Sequence, residues 1–321
     1  MIKKITVWLI VLVAILGSGY FIWENRYPIH DYIVLIDYKP PATISALAND
    51  DTFTTKGKND FYVNKPQISD RAVFNTECKS PEQTIVLGCY TGTNIYIFSV
   101  NDPRLNGVEQ VTAAHEMLHA AYDRLSSSER NKIDALLIAE LTKLNDPRIN
   151  AEYANYAKTE PGQQLNELHS VLGTEVSNIG PQLEAYYSQY FSDRSKIVAY
   201  SNQYEQVFND IQNQAEQDDA QLALMKAEID QLESSLQSQN QQLNVTMNSL
   251  DSLEASGQTV EYNSQVPAYN NSVNSYNSSV ANLKSLINQY NNLLNTRNSL
   301  TVQQQSLDQS IDSQLNAIPT K

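Results

Sequence analysis

Residues 201–321 constrain the fold more than any other part of this chain. Leu222, Ile229, Leu236, Leu243 and Leu250 recur every seven residues, with Met225, Leu232 and Leu253 at the intervening apolar position. A second register follows, Val266, Val273, Val280, Ile287 and Leu294, with Tyr269, Tyr276, Leu283 and Tyr290 between them. A seven-residue repeat keeps one helix face against a partner over many turns, so these are coiled-coil heptads. The spacing outweighs the composition, which by itself would suggest disorder: Asn, Gln and Ser supply 54 of these 121 residues. Ala255-Ser256-Gly257-Gln258, with Pro267 shortly after, separates the two registers. The break predicts an antiparallel helical hairpin with arms of roughly 45–75 Å at about 1.5 Å per residue; an intermolecular coiled coil is the alternative. Thirteen acids against four bases in this segment argue against nucleic acid and anionic lipid as partners. A spacer, a partner-binding arm or a self-association element fits better.

The N-terminus has a different character. Ile5 to Trp23 is apolar apart from Thr6 and Gly17-Ser18-Gly19, and Lys3-Lys4 precede it. About nineteen such residues can span a bilayer, and the positive-inside bias keeps the lysines cytoplasmic. The expected organisation is therefore a membrane anchor over 1–23, a compact α+β domain over 24–200 and the helical segment over 201–321, with the bulk extracytoplasmic. A cleaved signal peptide, giving a secreted protein, is the alternative, although neither an A-x-A site nor a lipobox Cys is present. The only two cysteines, Cys78 and Cys89, lie eleven apart among turn formers. In an external compartment they read as one disulfide, with a two-thiol metal site or free buried thiols as rivals.

Within 24–200, Ile33-Val34-Leu35-Ile36 and Asn94 to Val100 are β-rich runs, the second ending at Asn101-Asp102-Pro103. Ser126-Ser127-Ser128-Glu129 offers an N-cap and capping box for a helix to about Leu144. Glu160-Pro161-Gly162 opens a helix over roughly Gln163 to Val176. Gly180-Pro181 starts another, carrying Leu183, Tyr187, Tyr190 and Phe191 and continuing outward.

The chemistry is concentrated at His115-Glu116-Met117-Leu118-His119. On a helix, residues four apart share a face, so both imidazoles can point at one cation. Glu116, offset around the helix, can reach a water beside that cation as general base. Thr112-Ala113-Ala114 and Ala120-Ala121-Tyr122 make the surroundings apolar, and burying such polar groups there requires compensation, which a bound metal supplies. The chain has four histidines, and two of them stand in this pentad.

These residues resemble the zincin metallopeptidases, whose pattern around HExxH is met from Thr112 through Ala121. Tyr122 and Leu125 stand where the metzincin branch needs Gly and a third His, which excludes that branch. Asn166-Glu167-Leu168-His169-Ser170 resembles the gluzincin NExxSD segment. The resemblance implies Zn2+ held by His115, His119 and Glu167, with Glu116 as base and a peptide or protein as substrate. Val171 departs from it, standing where an Asp orients a ligand histidine, so that role must pass to another group or a backbone carbonyl. The resemblance covers about twenty-five residues. Glu175 and His169 are rival third ligands, although a regular helix puts Glu167 and His169 about 200° apart and Glu175 roughly 12 Å beyond Glu167. His169 is then a candidate electrophile or substrate-binding group. An oxyanion donor is also needed, and Tyr153, Tyr156, Tyr186 and Tyr187 are candidates between which the sequence does not choose. Against the hydrolase stands a second class: a cell-surface structural or adhesive protein in which the zincin-like domain is inactive or its metal structural.

Overall fold

The computed structural model of the chain describes residues 15–23, 25–78 and 86–314. It is mostly helical, with one three-stranded sheet and two long helices towards the C-terminus. The chain forms two compact units: residues up to Val207 together with those from Leu307 onward, and Phe208–Ser306.

After the helical residues 15–23, the first unit continues with α1 (Arg26–Leu35), α2 (Ala42–Asp50) and α3 (Thr55–Tyr62). Strand β1 (Gln67–Ser69) and α4 (Arg71–Glu77) lead to β2 (Gly88–Tyr90) and β3 (Ile95–Phe98). The sheet order is β1-β3-β2, with β1 parallel and β2 antiparallel to β3. The run from Ile95 is therefore the central strand, buried on both faces, and β2 is an edge. A 3-10 turn at Pro103–Leu105 delivers the chain to α5 (Val108–Asp123). Then come α6 (Ser127–Leu144), α7 (Pro147–Thr159), α8 (Gln164–Thr174) and α9 (Gly180–Tyr187).

Helix α5 is the axis of the core. Ala113, Ala114, Met117, Leu118 and Ala120 are fully buried at 0 % exposure, as expected of a helix apolar on nearly every side. α2, α3, α8, β2 and β3 pack around it. Contact between α5 and α8 is close because Gly173 faces Leu118; a Cβ there would strike the Leu118 side chain and come within 2.9 Å of Tyr187 Cε1. Gly173→Ala should lower stability by about 1–3 kcal/mol through overpacking, measurable as an earlier denaturant midpoint.

Several expectations need correction. No helix among the described residues is long and apolar enough to cross a membrane, which overturns the single-pass anchor and the placement built on it. Residues 5–14 of the expected span lie outside the described residues; residues 15–23 are a helix that does not continue through Asn25. Ile33 to Leu35 are helical rather than extended. Four apolar residues do not distinguish strand from helix by themselves, and here the four-residue spacing of Tyr27 and Asp31 matters more. It lets Tyr27 donate to the Asp123 carbonyl at 3.3 Å while Asp31 pairs with Arg124 at 2.7 Å. α9 also stops sooner than expected. Thr54 N–H donates to the Tyr190 carbonyl and Ser192 N–H to that of Thr52, both at 2.8 Å, capturing the backbone in an extended bridge between Phe53 and Phe191. Elsewhere local chemistry prevails: Ser126 and Glu129 form the reciprocal capping box of α6.

Two long helices, α10 (Arg194–Ala255) and α11 (Thr259–Ile311), supply the second unit. Within it they run antiparallel, since Arg297 pairs with Asp219 at 2.8 Å and Tyr269 reaches Met247 Sδ at 3.6 Å. Leu222, Ile229, Leu236 and Leu250, all from one heptad position, are buried. α11 continues through Pro267. At its far end the chain belongs to the first unit again: Ser313 Oγ donates to the Val86 carbonyl and Asn75 Nδ2 to that of Ser313, each at 2.7 Å.

Candidate metal centre

His115 and His119 lie one turn apart on α5, with ring centroids 4.7 Å apart and planes at 77°. Helix α8 packs on the same side and brings Glu167 to both: Oε2 is 3.4 Å from His115 Nε2 and Oε1 is 3.3 Å from His119 Nε2. Two tetrahedral ligands about 2.0–2.1 Å from a zinc ion stand roughly 3.3 Å from each other. The spacing of these donors therefore suits one such ion, and two imidazoles with one carboxylate leave a fourth position for water or substrate. Glu116 belongs to the same constellation, since ligand-type atoms of His115, Glu116 and His119 all lie within 4.8 Å of one another. Glu167 faces both imidazoles, and Glu116, next to His115 in sequence, is directed round the helix towards β2.

The groups behind the donors are arranged for the same task. His119 Nδ1 lies 3.0 Å from Asn166 Oδ1 and 3.3 Å from Ser170 Oγ. Ser170 donates its hydroxyl hydrogen to the His115 carbonyl at 3.2 Å. His119 Nδ1–H can then donate to Asn166, which turns Nε2 towards Glu167. Asn166 and Ser170 thus fix the orientation of the His119 ring. Burial alone would raise the Glu167 carboxyl, but the charges of His119 and His115 and hydrogen bonds from His115 and Tyr156 hold it down at about 2. Burial pulls His115 down while Glu167 pulls it up, and the net direction is upward.

The centre opens into a cleft of about 710 Å³. One wall is β2, whose main chain lies directly against Glu116: a Cβ on Gly88 would be 2.6 Å from Glu116 Oε1 and 2.5 Å from Thr112 Cγ2. That strand is tethered by the Cys78–Cys89 disulfide, which leaves neither thiol for a metal. The other wall is α7, with Glu152, Tyr156 and the following Glu160. Burial first, then the neighbouring Glu175, pushes the Glu152 carboxyl up to about 7, against the opposing effect of Arg148.

His169 does not belong to the cleft. It is buried at 0 % exposure, with Nε2 2.9 Å from the Tyr186 hydroxyl and its ring against Tyr122 and Tyr187. Helix phase explains this, because turning Glu167 towards α5 turns His169 to the opposite side. Burial, followed by the charges of His119 and His115, lowers it to about 3, so it is a neutral packing residue. Glu175 lines the cleft but pairs with Arg148 at 2.8 Å rather than with the imidazoles. Of the four tyrosines, Tyr156 alone lines the cleft. Tyr186 and Tyr187 are buried beside His169, and Tyr153 is packed against the core. Sequence reading missed Gly88, which looked like a turn former beside Cys89, and the hydrogen-bonding part played by Asn166.

Comparison with family models, curated proteins and solved structures returned no match.

Proposed function

We propose that this chain is a zinc-dependent, zincin-like metallopeptidase. The observation that carries the reading is the approach of the Glu167 carboxylate to both pentad imidazoles at 3.3 and 3.4 Å from a helix 48 residues further along the chain. In this reading His115, His119 and Glu167 hold zinc, which when bound supplies Lewis-acid polarisation of the scissile carbonyl and of a water. Glu116 accepts a proton from the attacking water as its oxygen bonds to the carbonyl carbon. It returns that proton to the amine as the C–N bond breaks. Tyr156, at the cleft wall, moves its hydroxyl hydrogen bond from Glu167 to the carbonyl oxygen as negative charge develops there. Asn166 keeps the His119 ring in the tautomer that binds metal.

The test uses the purified full chain with zinc and a denatured generic protein. One zinc per chain and cleavage abolished by a chelator are expected. A zinc-loaded chain that cuts neither this substrate nor a mixed peptide library would overturn the reading. A finer expectation follows from the contact at Gly88. Gly88→Ala must displace Glu116 or the strand, and ångström-scale misplacement of a reacting group costs up to about 100-fold in rate. We expect kcat to fall by about 10–100-fold with zinc stoichiometry unchanged.

A further inference from the structure

We propose that Ser313 is a positioning residue for Glu116: residues 307–314 form a strap that, together with the Cys78–Cys89 disulfide, fixes the main chain of β2 at Gly88. The effect on turnover rests on the reading of the centre as a peptidase; the strap itself does not. α11 ends at Ile311, and the Asp312 carboxylate accepts the Gln314 N–H at 2.8 Å, a turn that carries Ser313 inwards until it is 1 % exposed. Its hydroxyl donates to the Val86 carbonyl, and its own carbonyl accepts from Asn75 of α4, each at 2.7 Å. Ser313 therefore joins α4 to the chain entering β2. Upstream, Leu307 is fully buried, Arg71 donates to the Gln309 carbonyl and Ser310 to Asp102, both at 3.4 Å. These contacts place the residues from Leu307 onward in the first unit.

The disulfide joins the same two elements, because Cys78 caps α4 and Cys89 lies in β2. Val86 and Cys89 bracket Gly88, so the residue whose main chain lies against Glu116 and Thr112 is held on both sides. Such holding matters at this strand. β2 is an edge strand of three residues paired with β3, and a short edge ladder opens at little cost. Val86, Leu87 and Cys89 also pack on Phe74, Tyr96 and Phe98. That apolar contact is non-directional, so it keeps the strand down without setting its tilt or its height against α5. A directed hydrogen bond from a buried hydroxyl and a covalent bridge set both. Without the Ser313 hydroxyl, the Val86 carbonyl loses this hydrogen bond and the Gly88 main chain gains freedom. Glu116, packed against it, then no longer stands at one distance from the attacking water.

The test reads the hold on the strand apart from catalysis. Phe98 N–H donates to the Leu87 carbonyl at 2.7 Å, on the β2 side of β3, and Ser99 N–H to the Ser69 carbonyl at 2.9 Å, on the β1 side. Hydrogen exchange at these two amides is measured in the full-length wild type and in full-length Ser313→Ala, Ser313→Thr and Asn75→Ala chains. Ser313→Ala should speed exchange at Phe98 by about 5–10-fold, the opening that one buried hydrogen bond controls, and leave Ser99 unchanged. Dithiothreitol should reduce Cys78–Cys89 faster to a similar degree. Ser313→Thr keeps the hydroxyl and should behave as the wild type. Asn75→Ala, which parts the strap from α4, should act in the direction of Ser313→Ala, and it decides the matter if Ser313→Ala does not fold. On a denatured protein, Ser313→Ala should lower kcat by about 3–10-fold through misplacement of Glu116, with KM and zinc stoichiometry unchanged. Unchanged exchange at Phe98, or equal acceleration at Phe98 and Ser99, would overturn the proposal. So would faster exchange at Phe98 with kcat unaltered, or a Ser313→Thr chain that opens as readily as Ser313→Ala. Failure of the wild-type chain to cut any protein tells instead against the peptidase reading, because exchange and reduction are read without turnover.

Discussion

Glu116→Gln should leave one zinc per chain and reduce hydrolysis of a denatured protein by about 10²–10⁴-fold, the range that a positioned general base supplies. The amide is close in size to the carboxylate, so the packing against Gly88 and Thr112 is retained while the proton acceptor is lost. Thermal stability should stay near that of the wild type, because Glu116 is buried at 5 % exposure and its replacement removes a charge without opening a cavity. The measurement is zinc stoichiometry and steady-state rate on the same preparation. Undiminished hydrolysis would remove Glu116 from the mechanism; loss of zinc together with activity would make it a ligand rather than a base.

The second large effect concerns the metal. In the wild-type chain, free zinc at about a thousand times its Kd should stabilise the first unit by roughly 4 kcal/mol, seen as a rise in its melting transition. Glu167→Ala should abolish that rise, since it removes the carboxylate that faces both imidazoles. Asn166→Ala should preserve binding but weaken zinc affinity by about 10–100-fold, the usual effect of removing a group that orients a ligand histidine. His169→Phe is the control: its ring is buried among Tyr122, Tyr186 and Tyr187 on the far side of α8, so zinc affinity should be unchanged even if stability falls. If Glu175→Ala, rather than Glu167→Ala, eliminates the zinc-induced rise, the carboxylate now paired with Arg148 is the ligand.

What could be read from the residues alone was local. Of the first heptad register, Leu222, Ile229, Leu236 and Leu250 are buried in the antiparallel pair, while Leu243 and the second register are half-buried. Ser126 and Glu129 marked a helix start that the backbone adopts. Readings failed where a local pattern had two solutions or a distant contact overrode it. The β-branched run at Ile33 became helix because Tyr27 and Asp31, four apart, meet the end of α5. α9 ended early because Thr52 and Thr54 hold the backbone of residues 190–192. Apolar length suggested a membrane span at the N-terminus, yet no described helix meets the requirement.

The same division runs through the site. Helix periodicity places His115 and His119 on one face and puts Glu167 and His169 on opposite sides of theirs, whatever the rest of the chain does. It cannot say which face of α8 meets α5. That choice depends on packing between segments some fifty residues apart, on Gly173 admitting Leu118 and on burial of Leu168, Val171 and Leu172. The same packing sets Asn166 beside His119, and the fold sets Gly88 against Glu116 and brings Glu152 and Tyr156 of α7 to the cleft. Periodicity governs what neighbours along one helix share, because it is built into backbone geometry; which helices meet is set by how the whole chain buries its apolar surface.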